Sequence, residues 1–130
     1  DYYQKALDIK IEFGAKYDSA STYHQLGSVA EEVREYEQAR DYYLKALDIL
    51  IEFGAKYESA RNYHNLGIVA QEVREYEQAR DYYQKALDIK IEFGAKYDSA
   101  STYHQLGSVA EEVREYEQAR DYYLKALDIL

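Results

Sequence analysis

The sequence contains no cysteine, proline, methionine or tryptophan. Without cysteine, disulfides, thiolate metal sites, a thiol nucleophile and a thiol redox switch are all excluded. No uncharged apolar run approaches the roughly 20 residues of a membrane-spanning helix, and the opening DYYQKALDIK lacks the basic-then-apolar layout of a secretion signal. A soluble, cytoplasmic chain is the expectation, and a reducing compartment fits it. Excess positive charge is lacking too: 16 Lys and Arg stand against 25 Asp and Glu, a net charge of −9. The basic residues are spread singly among acids, so nucleic acid and anionic membrane surfaces are poor partners.

What the chain has in abundance is repetition. Residues 1–40 and 41–80 differ at eight positions (4, 10, 18, 21, 22, 25, 28 and 31), and residues 81–130 repeat residues 1–50 unchanged. The full repeat is therefore an alternating pair of units, 1–40 followed by 41–80. A period of about 20–50 residues marks a stacked array, in which each unit buries its apolar face only against its neighbours. Near-identity between units points to recent duplication or deliberate construction.

Within each unit the apolar spacing predicts two amphipathic helices. On the first, Ala20, Tyr23, Leu26, Gly27, Ala30 and Val33 recur at steps of three and four. On the second, Tyr36, Ala39, Tyr43, Ala46, Leu47, Leu50 and Phe53 form the stripe, and Asp41, Lys45, Asp48 and Glu52 form a solvent-facing row. Gly14, Gly54 and Gly94 suit left-handed helix stops. Position 18 alternates between Asp and Glu, and Glu is a good first-turn residue but a poor cap, which places helix starts near Lys16, Lys56 and Lys96. The other turn, VREYE at 33–37, holds neither glycine nor proline, so its position is fixed only to within a few residues. The expected elements are helices over 1–13, 16–34, 36–53, 56–74, 76–93, 96–114 and 116–130. They make an all-α superhelix of antiparallel helix pairs, about three repeats in a single solenoid segment over residues 1–130.

The stretch YHQLGSVAEEVREYEQARDYYLKALDI, residues 23–49, resembles the tetratricopeptide repeat. Tyr23, Leu26, Gly27, Ala30, Tyr36, Ala39, Tyr43 and Ala46 hold the places of that family's aromatic, Leu-Gly and alanine positions. The same residues make physical sense unaided: Gly27, Ala30, Ala39 and Ala46 are small where helices cross closely, and Tyr23 and Tyr43 fill the space beside them. The family's repeat is about 34 residues long with a proline after the second helix. Here each unit is longer, taking the whole span from 1 to 40, with Ile11, Ile51 and Ile91 where proline would fall. The chain is thus similar to a long-helix variant of the family.

The resemblance implies a protein-interaction scaffold, without enzymatic activity or cofactor, that binds peptide or protein partners on its concave face. That face carries Ser21, His24, Ser28 and Glu31, then Arg61, His64, Ile68 and Gln71, then Ser101, His104, Ser108 and Glu111. The other reading of this row is a solvated helix face. The three histidines at 24, 64 and 104 do not suit a shared metal, because stacked helices hold equivalent residues about 8–10 Å apart while ligands lie about 2 Å from their ion. Tetratricopeptide domains that grip a C-terminal carboxylate use Lys, Arg and Asn along the groove, and only Arg61 is basic on this row. Ile68 is the preferred partner anchor, whereas Leu44 and Leu50 read as packing between unlike units.

Most of the 17 tyrosines fall on the apolar stripes, which favours packing over stacking of bases or sugars. Glu31, Glu32 and Glu35 form an acidic cluster that would suit a basic peptide, with a mixed solvated surface as the alternative. The chain also begins and ends within a second-helix pattern, since DYY at 1–3 matches DYY at 41–43. An uncapped solenoid exposes apolar faces, so a longer parent array or end-to-end self-association is a further expectation. A structural or designed array that assembles by stacking, and a sensor or adaptor segment of a larger multidomain protein, are the alternative functions.

Overall fold

The computed structural model describes residues 2–12 and 15–130, with the side chains of residues 10–12 left aside. Among the described residues there are seven helices: α1 (Tyr2–Glu12), α2 (Lys16–Glu32), α3 (Tyr36–Glu52), α4 (Lys56–Glu72), α5 (Tyr76–Glu92), α6 (Lys96–Glu112) and α7 (Tyr116–Ile129). No strand occurs among them. The helix stop expected at Gly14 lies outside the described residues.

The two kinds of turn share one geometry although only one of them has glycine. After α3, Ala55 N–H donates to Leu50 O at 2.8 Å and Gly54 N–H to Ile51 O at 3.1 Å, with Gly54 at φ 69°. After α2, Glu35 N–H donates to Ala30 O at 2.8 Å and Arg34 N–H to Glu31 O at 3.0 Å, with Arg34 at φ 64°. Both are the paired-bond helix stop that needs a left-handed residue just past the end. This is why α2 ends at Glu32 and not at 34: the turn that sequence left loose is fixed by an arginine held in a glycine conformation, repeated at Arg74 and Arg114. An L-residue in that region carries about 1–2 kcal/mol of strain. Arg74→Gly is therefore expected to raise stability by about 0.5 kcal/mol once glycine's extra unfolded-state freedom is subtracted. Urea denaturation reads the change, and a loss in its place would show that the Arg74 side chain, which lines a cleft with Gln71, Glu72, Tyr76 and Glu112, contributes more than its backbone costs.

Each helix packs chiefly against the helices next to it in the chain. The core is a cluster that recurs with the repeat. Ala30 of α2 and Ala39, Tyr43 and Leu47 of α3 close on Leu66 and Val69 of α4. One unit later, Ala70, Ala79, Tyr83 and Leu87 close on Leu106 and Val109. The small residues are small because a ring lies over them. A β-carbon added at Gly67 would sit 2.6 Å from Tyr83 Cε1, and one at Gly27 would sit 2.7 Å from Tyr43 Cδ1. The glycine inside each first helix is thus a seat for the tyrosine of the second.

Several stripe residues are not core. Val33 and Phe53 are exposed, since each caps its helix at the turn. Of the tyrosines, only Tyr43 and Tyr83 are fully buried; most of the others are half-buried at helix edges, and Tyr2, Tyr3, Tyr17, Tyr57, Tyr97 and Tyr116 are exposed. The reading that most tyrosines are buried therefore holds only in the weaker sense of edge packing. Tyr63 and Tyr82 illustrate it, with ring centroids 6.4 Å apart and the Lys85 ammonium 5.7 Å from the Tyr63 ring. Conversely, buried Ser19, Ser59 and Ser99 look polar in sequence, but each hydroxyl donates to the carbonyl three residues earlier at 2.6 Å.

At the two ends the recurring cluster is half made. Leu127 is 65% exposed where its equivalent Leu87 is 3% exposed, and Val29 is 46% exposed where Val69 is fully covered.

Candidate functional site

The row of first helices, α2, α4 and α6, places the sequence-selected residues on the side where these helices meet one another. Ser21, Arg61 and Ser101 are exposed at its edge. Below them the row becomes a seam. His24, Ser28, Glu31, His64, Ile68, Gln71 and Ser108 are half-buried, while His104 and Glu111 on the last first helix are exposed. Half-burial follows from position: each of these side chains lies where one first helix rests against the next.

The seam between α2 and α4 is closed by Asn65, whose Nδ2 lies 2.8 Å from His24 Nε2. An amide N–H can only donate, so Nε2 accepts and the His24 proton sits on Nδ1. Nδ1 of His24 and Oδ1 of Asn62 are both buried without a hydrogen-bond partner. They are a donor and an acceptor left in one seam. The seam between α4 and α6 is wired the other way. Lys90, on the last turn of α5, donates to Thr102 Oγ1 at 2.8 Å and to Asp98 O at 3.3 Å. Thr102 Oγ1 also lies within hydrogen-bonding distance of His64 Nδ1, 3.3 Å away, so the lysine, the threonine and the histidine form one chain. Farther along, Gln71 Nε2 donates to Ser108 Oγ at 3.0 Å and to Glu112 Oε1 at 2.6 Å, and its Oε1 accepts from Tyr83 O–H at 2.8 Å.

The electrostatics follow from this burial. Loss of solvent lowers both His24 and His64 to about 4, with the positive charge of Arg61 adding to the effect at His24 and that of Lys90 at His64. Desolvation also lowers Lys90, opposed by the Asp98 carboxylate. The Tyr43 hydroxyl is pushed up by burial and by donating to Glu31 Oε1 at 2.7 Å. Glu31 is thus partly engaged within its own unit, and the acidic cluster reduces to exposed Glu32 and Glu35 as free surface charge.

Between α4 and α6 the seam opens into a cavity of about 430 Å³ lined by Tyr57, Glu58, Arg61, His64, Lys90, Asp98 and Ser101. Tyr57 O–H closes its rim by donating to Asp98 Oδ2 at 3.1 Å. Sequence reasoning selected Arg61, His64 and Ser101 but missed Lys90, which stands on a second helix. The signal was present: Lys10 and Lys90 go with Thr22 and Thr102, and Leu50 goes with Asn62, at the same separation each time. Ile68, the expected anchor, is partly covered against the Tyr83 cluster, and Leu50 is buried against Ala20 and Ile49. Among the described residues no group of three His, Cys, Asp or Glu side chains could hold a metal ion, and no helix is long and apolar enough to cross a membrane.

The profile of the tetratricopeptide repeat matches residues 1–52 and 58–130, nearly the whole chain. The chain belongs to the tetratricopeptide repeat family. Tetratricopeptide repeats generally mediate protein–protein interaction, and their helical scaffolds are typically non-enzymatic. The fold is similar to the crystal structure of BtubC (BKLC) from P. vanneervenii, with a TM-score of 0.91 at 24% identity, over 98% of this chain and 54% of that one. It is also similar to the apo form of RapI, with a TM-score of 0.90 at 26% identity, over 98% of this chain and 47% of that one. The tetratricopeptide chain described here thus spans about half the length of either structure. No curated protein matches it.

Proposed function

We propose that the chain is a binding scaffold, without catalysis of its own, that holds a peptide segment of a partner protein along the α2–α4–α6 row. The observation that carries this reading is the cavity between α4 and α6, where Arg61, His64, Lys90 and Ser101 converge beside the ring of Tyr57. A concave site with a few convergent polar groups on rigid helices is the usual form of a recognition pocket. Ile68 flanks the same seam, and its exposed part supplies apolar contact. The net charge of −9 favours a basic segment, steered by the exposed carboxylates.

A displayed random-peptide library, selected on the chain, supplies the probe. Peptides so selected are expected to shift the amide resonances of Arg61, His64, Ile68, Gln71, Ser101 and Ser108, and to bind more weakly as salt rises. Ile68→Ser is expected to weaken binding about tenfold, as loss of one apolar anchor does. Shifts confined to the outer faces of α3 and α5, or unchanged affinity in Ile68→Ser, would overturn the assignment.

A second reading rests on the exposed Leu127 and Val29: units of this kind serve assembly, and copies associate through their open apolar faces. Sedimentation over a range of concentrations separates the two. Reversible growth without any peptide favours assembly, and a monomer that captures peptide favours the scaffold.

A further inference from the structure

On the last turn of the second helix the alternate units place a leucine or a lysine. Leu50 is buried against Ala20 and Ile49, so an apolar side chain suffices to close that turn. Lys90, in the equivalent position, is only 9% exposed. Its ammonium carries three N–H groups. Two are spent within the chain, on Thr102 Oγ1 at 2.8 Å and on the Asp98 carbonyl at 3.3 Å. Both acceptors are neutral, and among the described residues no ion pair includes Lys90. A buried charge without a counterion is costly, and a leucine at the same place carries no such cost.

The third N–H is unspent, and Lys90 lines the cavity of about 430 Å³ between α4 and α6. The hydroxyls around that cavity are already used. Ser101 O–H donates to the Asp98 carbonyl at 3.0 Å and Tyr57 O–H to Asp98 Oδ2 at 3.1 Å. Arg61, at the cavity edge, is in no ion pair among the described residues either. The two lining carboxylates belong to exposed residues, and each is held by a tyrosine: Glu58 accepts from Tyr17 O–H at 3.1 Å, and Asp98 from Tyr57. The Asp98 charge still reaches Lys90, and it is the competitor that a bound anion would meet. Negative charge thus stands at the solvated rim, and an unpaired positive charge lies buried below it.

We infer that this cavity is a carboxylate site, in which an acidic side chain of the bound segment accepts from the third ammonium N–H of Lys90 and from the Arg61 guanidinium. The inference rests on the reading that the row holds a peptide, and it adds one acid to an otherwise basic segment. A single negative charge suits the site better than a phosphate. Two lining cations already face two lining carboxylates, so a second charge on the ligand would meet only repulsion at the rim. The deciding cation belongs to α5, a second helix, and the anion is a side chain, which separates this site from a grip on a C-terminal carboxylate.

Sodium acetate, titrated against sodium chloride at equal ionic strength, probes the site without any peptide. Acetate is expected to give saturable shifts of the Arg61, Ser101 and Thr102 amide resonances, and inorganic phosphate to bind more weakly. The triple variant Lys90→Leu, Thr102→Asn, Gln105→Asn copies the residues at 50, 62 and 65, a combination that this chain already packs, and should lose the acetate response. Asp98→Asn keeps an acceptor for Tyr57, removes the competing charge and should tighten acetate binding about threefold. In peptides selected on the chain, replacing the acid by its amide should weaken binding about tenfold on the parent and leave it unchanged on the triple variant. Amidating the peptide C-terminus should change neither. No acetate response beyond that of chloride, the same response in the triple variant, or tighter binding of phosphate would overturn the inference. So would selected peptides that lack an acid, an acid-to-amide loss equal on both chains, or a loss on amidation. Saturable acetate shifts with no peptide held by the row would instead remove the peptide reading and leave the carboxylate site.

Discussion

Gly67→Ala is expected to destabilise the chain by about 1–3 kcal/mol, although alanine in a helix interior normally gains about 1 kcal/mol over glycine. The added methyl would lie 2.6 to 3.0 Å from three atoms of the Tyr83 ring. That ring has nowhere to go. It is fully buried, packs on His64 at 5.4 Å between centroids, and is anchored through its hydroxyl to Gln71. Gly107 offers an internal control, because its β-carbon would meet Tyr123 at 2.7 Å with the same geometry. Tyr123 stands at the uncovered end and is only partly buried, so its ring can tilt outward. Gly107→Ala is therefore expected to stay within about 0.5 kcal/mol of the parent, the helix gain offsetting the shift. Urea denaturation of the two variants settles the matter: equal losses would mean that the close approach is set by the helix pair alone and not by how tightly the tyrosine is held.

Stability is expected to fall as pH drops from about 6.5 towards 4. His24 and His64 bind a proton at about 4 when folded and near 6.5 when unfolded, so between those values the unfolded chain holds more protons and acid favours it. Above 6.5 both states are neutral and the penalty vanishes. By pH 5 the loss is about 2 kcal/mol for each imidazole, an upper figure for groups that keep some contact with solvent. The geometry agrees with the direction, since protonation would set an N–H of His24 against the Asn65 amide N–H that now donates to it. The double variant His24→Gln, His64→Gln should flatten the profile between pH 7 and 5, where most carboxylates remain ionised. Titration of both imidazoles near 6.5 by NMR would sink the expectation.

The helices and their pairing were legible in the sequence because the signal is repeated: Ala39, Tyr43, Ala46 and Leu47 recur in the next unit as Ala79, Tyr83, Ala86 and Leu87. The helix stop at Arg34 was not legible, because arginine is not a residue that ordinarily takes positive φ; only the backbone bonds reveal it. Of the candidate site, the row from Arg61 to Gln71 could be read from spacing. What spacing could not say is that its middle residues are half spent on the neighbouring helix, since helical periodicity describes one helix and not the distance to the next. Lys90 was missed for a related reason. A lysine in an apolar stripe reads as a rim residue, and its burial depends on Thr102 and the Asp98 carbonyl arriving from another helix. The hydroxyl rows of the serines were missed because i to i−3 bonding hides a polar group inside its own turn.

The restriction of packing to consecutive helices has a kinetic side. Every cluster closes between residues a few tens of positions apart, as Tyr43 does with Leu66 and Val69. No distant segments have to find each other, so the loop-closure entropy of the search does not grow as units are added. Folding can start at any hairpin and spread in both directions, and a chain made twice as long need not fold more slowly.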